Sequence, residues 1–514
     1  MNDKTGILNN TGKYMFAVFF LFSALTYLML HKLPLSVDDF GFQQLSFHTN
    51  GDALHYVLNY GNGRLFGNGG ILFLIHRPVL GDVLRAALLS GIAVLLPAVL
   101  KLQKKIMPVL SMFLVLTISP AIFGQAYSWM SGFQNYIPPI FLFLAGLLCV
   151  QKAGSSYSAG SRIVFLFLCF LCGTGMQLYI EHSTCINLCI SAIILLSVLR
   201  KEKWRSYRVA SGMLFAGAVL GCAVMVAVTV VSNPQIQDGT IGHTSYLSSG
   251  IQGLLYGVAR NCVLVLGMFS ENAVLLFLLS ALLITQITIN RTAFSDRERI
   301  LYPICMLIPA VVFILQLIAG LHPWYGKLAV FESALIVIAW LVYILSGLAY
   351  GKKIWACGET DERLALAGAM LCFSVIGVLP LLVIWPIGYR CLIHSSVSLI
   401  GAVLLLTDKL LDDIKQEKAK LFNTAIASVL AAVFICEIMI FSDIRRMVSI
   451  RDTYLEQQAQ AGAEKAAYFT IPSPYIYDLW DQEMEHSISI NGQEIQLEIL
   501  PADVWFRMIY YHYT

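Results

Sequence analysis

Long apolar stretches recur along this chain and limit its possible folds more than any other feature. Segments near 14–33, 83–100, 107–122, 136–150, 163–180, 185–199, 209–232, 272–289, 300–319, 328–349, 364–386, 393–407 and 421–441 are each long and apolar enough to span a bilayer. Backbone amides and carbonyls in hydrocarbon must be satisfied within the segment, so stretches of this length cross as helices. The expectation is an all-α polytopic membrane protein of about thirteen transmembrane helices. Composition agrees: 58% of the 514 residues are hydrophobic and 13% charged, far outside the soluble range.

Charge is sorted between the connectors. One set carries Lys101, Lys104 and Lys105; Arg200, Lys201, Lys203, Arg205 and Arg208; Arg291, Arg297 and Arg299; Lys352, Lys353 and Arg363; and Lys409, Lys415, Lys418 and Lys420, whereas the alternating set is nearly bare. The positive-inside rule then puts the N-terminus in the cytoplasm and the loop after the first span outside, together with the C-terminus. This divides the chain into a transmembrane domain, 1–441, with a first outside loop at 34–82, and a small extracytoplasmic domain, 442–514. His31, Lys32 and Pro34 follow the first span with no small-residue cleavage site, so the first span reads as a retained helix. A net charge of +3 is too small to argue for nucleic acid and no basic run interleaved with aromatics suggests it, so no nucleic acid is expected as a partner. The twelve cysteines lie mostly within apolar spans and act as small hydrophobes, so neither a disulfide framework nor a zinc site is expected.

The bare connectors hold the candidate chemistry. Asp38 and Asp39 stand a few residues beyond the first span, where two adjacent carboxylates are either a solvated loop or a working acid pair. Leu54, Val57, Leu58, Leu65 and Phe66 have the spacing of short helices lying on the membrane surface. The glycine-rich run from Gly61 to Gly70 lacks the strand and the Lys-Ser/Thr of a phosphate loop, which argues against a nucleotide, and it contributes Arg64. The next bare connector, 123–139, carries no charge but holds Gln125, Tyr127, Trp129, Gln134, Asn135 and Tyr136. Such a set forms either an interfacial aromatic belt or a platform on which sugar rings stack while amides bond hydroxyls.

Glu181 and His182 follow the fifth span, and ionisable groups at such a depth mark a cavity unless the span has already ended. The long apolar region 249–289 is interrupted by Arg260 and Glu271 and fits a surface-lying or re-entrant helix ahead of one span. His322 and Lys327, which precede Glu332, and Arg390, which precedes His394, complete the polar groups of this face. Arg64, Arg260, Lys327 and Arg390 each either snorkel to lipid headgroups or together receive an anion. In the tail, 445–467 reads as helix, and the alternation from Ser487 to Leu497 around Asn491-Gly492 reads as a β-hairpin. So small a tail is expected to dock on the outside loops. Glu483, Glu485 and His486 have no metal-ligand spacing.

The Asp38-Asp39 pair, the YGNGRLFGN loop end, WMSGFQNYIPP, YIEHS and the small tail together resemble the polyprenyl-phosphate-sugar-dependent glycosyltransferases of the GT-C superfamily. Within it the chain is similar to uncharacterised bacterial membrane proteins related to phage-type O-antigen glucosyltransferases. The resemblance implies a GT-C-like fold with a small α/β tail in the bacterial plasma membrane. It implies inverting transfer from a polyprenyl-phosphate-linked sugar to a glycan or cell-wall polymer, with Asp38 or Asp39 as general base. Trp129, Asn135, Tyr136, Glu181 and His322 would contact substrate, and Arg64, Arg260, Lys327 or Arg390 would steady the leaving phosphate. Some members of the superfamily use a divalent metal; Asp38, Asp39 and Glu181 make a thin cage, so no cofactor is expected. A lipid-linked-glycan flippase or transporter would instead show an internal repeat, broken helices and ionisable groups at the midplane. An O-antigen polymerase or ligase would carry its chemistry in a large later loop.

Overall fold

The computed structural model describes residues 3–36, 38–45, 47, 49–60, 63–156, 158–232, 244–245, 250–289, 294–318, 330–356, 362–385, 387–469, 475, 487–490 and 493–500. The chain forms a largely helical bundle. It opens with α1 (Asp3–Leu30), three short helices, α2 (Asp38–Gln44), α3 (Asn50–Tyr60) and α4 (Leu65–Ile75), and then α5 (Pro78–Val99), α6 (Ile106–Leu116), α7 (Pro120–Phe123), α8 (Met130–Ser155) and α9 (Ala159–Gly175). There follow α10 (Glu181–Arg200), α11 (Arg208–Ser232), α12 (Gly250–Asn272), α13 (Val274–Ile289), α14 (Asp296–Ile318), α15 (Val330–Ala356), α16 (Glu362–Ile376), α17 (Ile393–Asp413) and α18 (Gln416–Gln460). The first connector therefore contains short helices where its apolar spacing predicts them. The strands β1 (Thr244–Ser245) and β2 (Ile384–Trp385) form a two-residue antiparallel pair.

Among the described residues, ten helices are long and apolar enough to cross a membrane, or eleven if one bent pair counts as a single span. The molecule is thus a multi-pass membrane protein, with fewer qualifying spans than the thirteen expected. The segment 107–122 is not one straight span. Pro120 cannot continue a helical hydrogen-bond ladder, and Ser119 restarts the helix by accepting the amide of Ile122, so α6 and the 120–128 segment meet at 87°. After α7 the chain passes through a π-helical turn, Gly124–Ser128, into α8. The region expected to hold a surface or re-entrant helix contains α12, whose 23 residues qualify as a span, and α13, which at 16 residues is short for one.

The core runs along α17, whose Leu399, Ile400, Ala402, Leu404, Leu405 and Leu406 are fully buried on all sides. The α9 and α11 helices pack closely because Gly173, Gly217 and Gly221 each face the partner helix, leaving no side chain between the backbones. At 45 residues α18 is about 67 Å long, roughly twice the hydrocarbon thickness. Its far end carries the sheet β3 (Lys465–Phe469), β5 (Gln493–Leu500) and β4 (Ser487–Ile490), in that spatial order. Strands β4 and β5 pair antiparallel on either side of Asn491-Gly492, as the alternation predicts, while β3 joins β5 in parallel. The helix expected over 445–467 ends at Gln460, where Gly462 adopts φ +74° and turns the chain into β3.

The polar contacts collect at two ends of the bundle. At one end Lys104 bonds the Asp408 and Asp412 carboxylates at 2.9 and 2.6 Å, and Arg363 reaches the same two at 2.8 and 2.7 Å. Nearby charged connectors join Lys203 to Glu362 and Lys353 to Glu298. The other end of α17 carries His394, 18 residues from Asp412 and so about 27 Å away along the axis. Four of the bare connectors meet there.

Candidate functional site

The two adjacent aspartates face different surroundings. Asp39 is fully buried. Its carboxylate accepts from the Ser36 amide at 3.2 Å, which caps its own short helix. It also accepts from the Met130 amide at 3.1 Å, the Ser131 amide at 2.9 Å and the Ser131 hydroxyl at 2.6 Å. Met130 and Ser131 open α8, so Asp39 satisfies two of the amides that a helix start leaves unpaired and fastens the first loop to that start. Burial raises its pKa to about 6 against the opposing pull of these donors.

Asp38 is exposed, and its carboxylate makes no hydrogen bond or ion pair with the described residues. It lies within the fields of Arg390 and Arg64, yet desolvation by the surrounding protein outweighs them and lifts its pKa above the ordinary aspartate range. The sequence leaves either residue as the base. In the structure Asp39 is a fastener, because every polar direction around its carboxylate is already used, whereas the Asp38 carboxylate has no such bonds among the described residues.

Arg64 leads into α4 and donates two parallel hydrogen bonds to Glu181, Nε to Oε1 at 3.1 Å and Nη2 to Oε2 at 3.0 Å. Its strand of loop is held independently by the Phe66 amide on the Leu178 carbonyl at 2.9 Å. Gly67 allows this approach, since a side chain there would strike the Asn135 amide and the Tyr179 carbonyl.

Arg390 comes from the connector before α17. Its backbone amide and Nη1 both donate to Gln125 Oε1 at 3.3 Å, and its guanidinium lies 5.0 Å from the Trp129 ring centre and 5.9 Å from that of Tyr136. A Cβ at 388 would lie 2.5 Å from Arg390 Nη1, so a side chain there would displace the guanidinium from Gln125. The Tyr136 hydroxyl contacts Cys391 Sγ at 3.4 Å, and Asn135 is buried and donates to the Ser131 carbonyl.

Buried His182 lies between Tyr136, tilted against it at 5.1 Å between ring centres, and His394, edge-on at 5.8 Å. His394 Nε2 meets the Ser183 hydroxyl at 2.9 Å. The His182 Nε2 has no hydrogen-bond partner, and the ring lies within the fields of both Arg64 and Arg390.

Asp38, Arg64, Trp129, Asn135, Tyr136, Glu181 and Arg390 therefore gather in one place. Arg260 does not join them through any described contact: it is exposed on α12, which packs chiefly on α14, α15 and the 379–383 turn. His322 and Lys327 lie outside the described residues. Among the described residues no three His, Cys, Asp or Glu side chains are grouped to hold a metal.

Two neighbouring features were not anticipated. His31 Nδ1 bonds Asp82 at 2.9 Å, Asp82 pairs with Arg85, and Arg85 Nη1 donates to the Ser128 carbonyl at 3.0 Å, which fixes the turn before α8. The signal was the charged i, i+3 pair inside an otherwise apolar run. Second, Glu437 is buried on α18 within the fields that Tyr127 and Tyr475 sense, and its Oε2 has no partner. Tyr475 packs edge-on against Phe123 and Phe441, and its carbonyl accepts the Ser128 hydroxyl. The tail thus touches the turn that precedes α8. No family model, no curated protein and no solved structure matches this chain.

Proposed function

We propose that the protein is a GT-C-like membrane glycosyltransferase that takes a sugar from a polyprenyl-phosphate donor. The acceptor is a surface glycan or cell-wall polymer, and the reaction inverts the anomeric centre. The observation that carries this reading is Asp38, an exposed carboxylate with no hydrogen bond or ion pair among the described residues, set within the fields of two arginines at one end of the bundle. A lipid-borne headgroup meets a membrane protein at such a surface.

In this mechanism Asp38 takes the proton from the acceptor hydroxyl as that oxygen attacks the anomeric carbon. Its raised pKa makes it a stronger base than a free aspartate. The bond from the anomeric carbon to the phosphate oxygen breaks, and Arg390 and Arg64 stabilise the charge that collects on the phosphate. Trp129 and Tyr136, buried beneath Arg390, hold its guanidinium in place by cation–π contact and so position it for the phosphate. By the positive-inside rule the site faces outward and the Lys104–Asp408 end faces the cytoplasm of a bacterial plasma membrane.

The test is sugar transfer by the purified full chain in proteoliposomes, given polyprenyl-phosphate sugars and cell-envelope glycan acceptors. Asp38→Asn should lower transfer about 10³-fold while the chain remains folded; full transfer by that variant would remove the reading. The 87° break at 117–119 and buried Glu437 favour a second reading, a flippase for lipid-linked glycans. In that case lipid would cross the bilayer without an acceptor, and Glu437→Gln would stop it.

A further inference from the structure

The Arg64–Glu181 pair has features that a structural staple does not need. Its loop is already held by the Phe66 amide on Leu178, by the close seat of Gly67 on Asn135, and by Asp39 on α8. The pair is bidentate, with two donors of one guanidinium on two oxygens, which is also how an arginine holds a phosphate. Glu181 is the more accessible partner: its side chain is 47% exposed against 20% for Arg64. It stands at the first position of α10, where it is free to swing toward solvent without breaking the helix. Beside this pair Arg390 lies over two aromatic rings, and His182, 3% exposed, has an Nε2 without a partner in the fields of both arginines. Two guanidiniums and an imidazole nitrogen without a partner among the described residues stand within one another's fields, a set that suits an anion bearing three or four oxygens, and Glu181 takes up the Arg64 side of it.

We propose that Glu181 is an internal stand-in for a phosphate monoester or diester, occupying Arg64 until the ligand displaces it, and that Arg390 and His182 complete the ligand's site. This rests on the transferase reading for the source of the phosphate, the donor lipid, but not for the site itself. Removing the charge of the stand-in then strengthens binding, the opposite of what loss of a ligand-binding residue does. Glu181 sets the threshold for occupation, so donor is bound only where it outcompetes a tethered carboxylate.

The experiment is calorimetric titration of the purified full chain in detergent with dodecyl phosphate and, separately, with inorganic phosphate. Dodecyl phosphate should bind to wild type, about tenfold more tightly to Glu181→Gln, and not measurably to Arg64→Gln, with His182→Phe weakened severalfold. Tighter binding of dodecyl phosphate than of inorganic phosphate identifies a lipid headgroup as the source, and equal affinity identifies a free phosphate. Glu181→Gln binding no more tightly than wild type would overturn the proposal, as would a Glu181→Gln chain that fails to fold, since the pair would then be a staple. Glu181→Asp, which keeps the charge on a shorter arm, should fall between wild type and Glu181→Gln. If Glu181→Gln tightens binding while Asp38→Asn leaves sugar transfer intact, the anion site stands and the transferase mechanism falls.

Discussion

The two ends of α17 use charge in opposite ways. At the Asp408 end, two acids and two bases are matched within 2.6 to 2.9 Å, and each group has its opposite. At the His394 end, Arg390 lies over aromatic rings and bonds Gln125, Asp38 stands in the fields of two arginines with no ion pair among the described residues, and in the Arg64–Glu181 pair the acid is exposed. A matched cluster lowers its energy by staying as it is. A mismatched one keeps charge in place at the cost of stability, and such sites are where proteins bind or transform ligands. The contrast predicts that substituting groups whose bonds are filled changes folding, and that substituting groups with no ion pair among the described residues changes function.

The strongest test of that contrast is Asp38→Asn. The substitution keeps the size of the side chain and removes the basic oxygen, so transfer should fall by about 10³-fold, equivalent to about 4 kcal/mol in the barrier. Its thermal unfolding should stay within about 1 °C of wild type, because the carboxylate holds nothing in place. A large drop in unfolding temperature with little loss of transfer would reverse the assignment.

Asp39→Asn, one residue away, should do the opposite. An amide nitrogen turned toward the Met130 and Ser131 amides leaves buried donors unsatisfied, costing about 3 kcal/mol. The fraction that folds should retain transfer, read as activity per folded molecule. At the far end, Asp408→Asn should cost about 2 kcal/mol. That is less than breaking a fully buried pair, because Lys104 and Arg363 are each about a third exposed and Asp412 still holds them. Transfer per folded molecule should not change.

Much of this arrangement is legible in the sequence, for reasons that can be named. Helix-forming apolar runs depend on local composition, so the bundle is visible, and the alternation around Asn491-Gly492 carries its own register. Spans that depend on a single break are less visible: Ser119-Pro120 ends a ladder, but only the structure gives the 87° turn. The polar residues of the bare connectors mark one end of the molecule because charge is scarce there. Which of them touch is a matter of tertiary contact. Asp38 and Asp39 look alike until the start of α8 comes to rest on only one of them, and Glu437 is one acid in an apolar run until the fold buries it within the field of Tyr127 and Tyr475.

The smallest effect tests the same pair by pH. Asp39 has its pKa raised from 3.8 to about 6 by burial, so the folded state favours the protonated form. A group raised in this way adds stability below its unfolded value and loses it as pH rises through the folded one. The unfolding temperature of wild type should therefore drift down by about 2 °C between pH 4 and pH 6.5, after subtracting the same drift measured in Asp39→Asn, which cannot titrate there. Transfer should move the other way over the same interval, rising with pH as Asp38 loses its proton and becomes able to accept one. Opposite slopes from neighbouring residues would separate fastener from base in a single titration, whereas parallel slopes would mean that both carboxylates serve the same role.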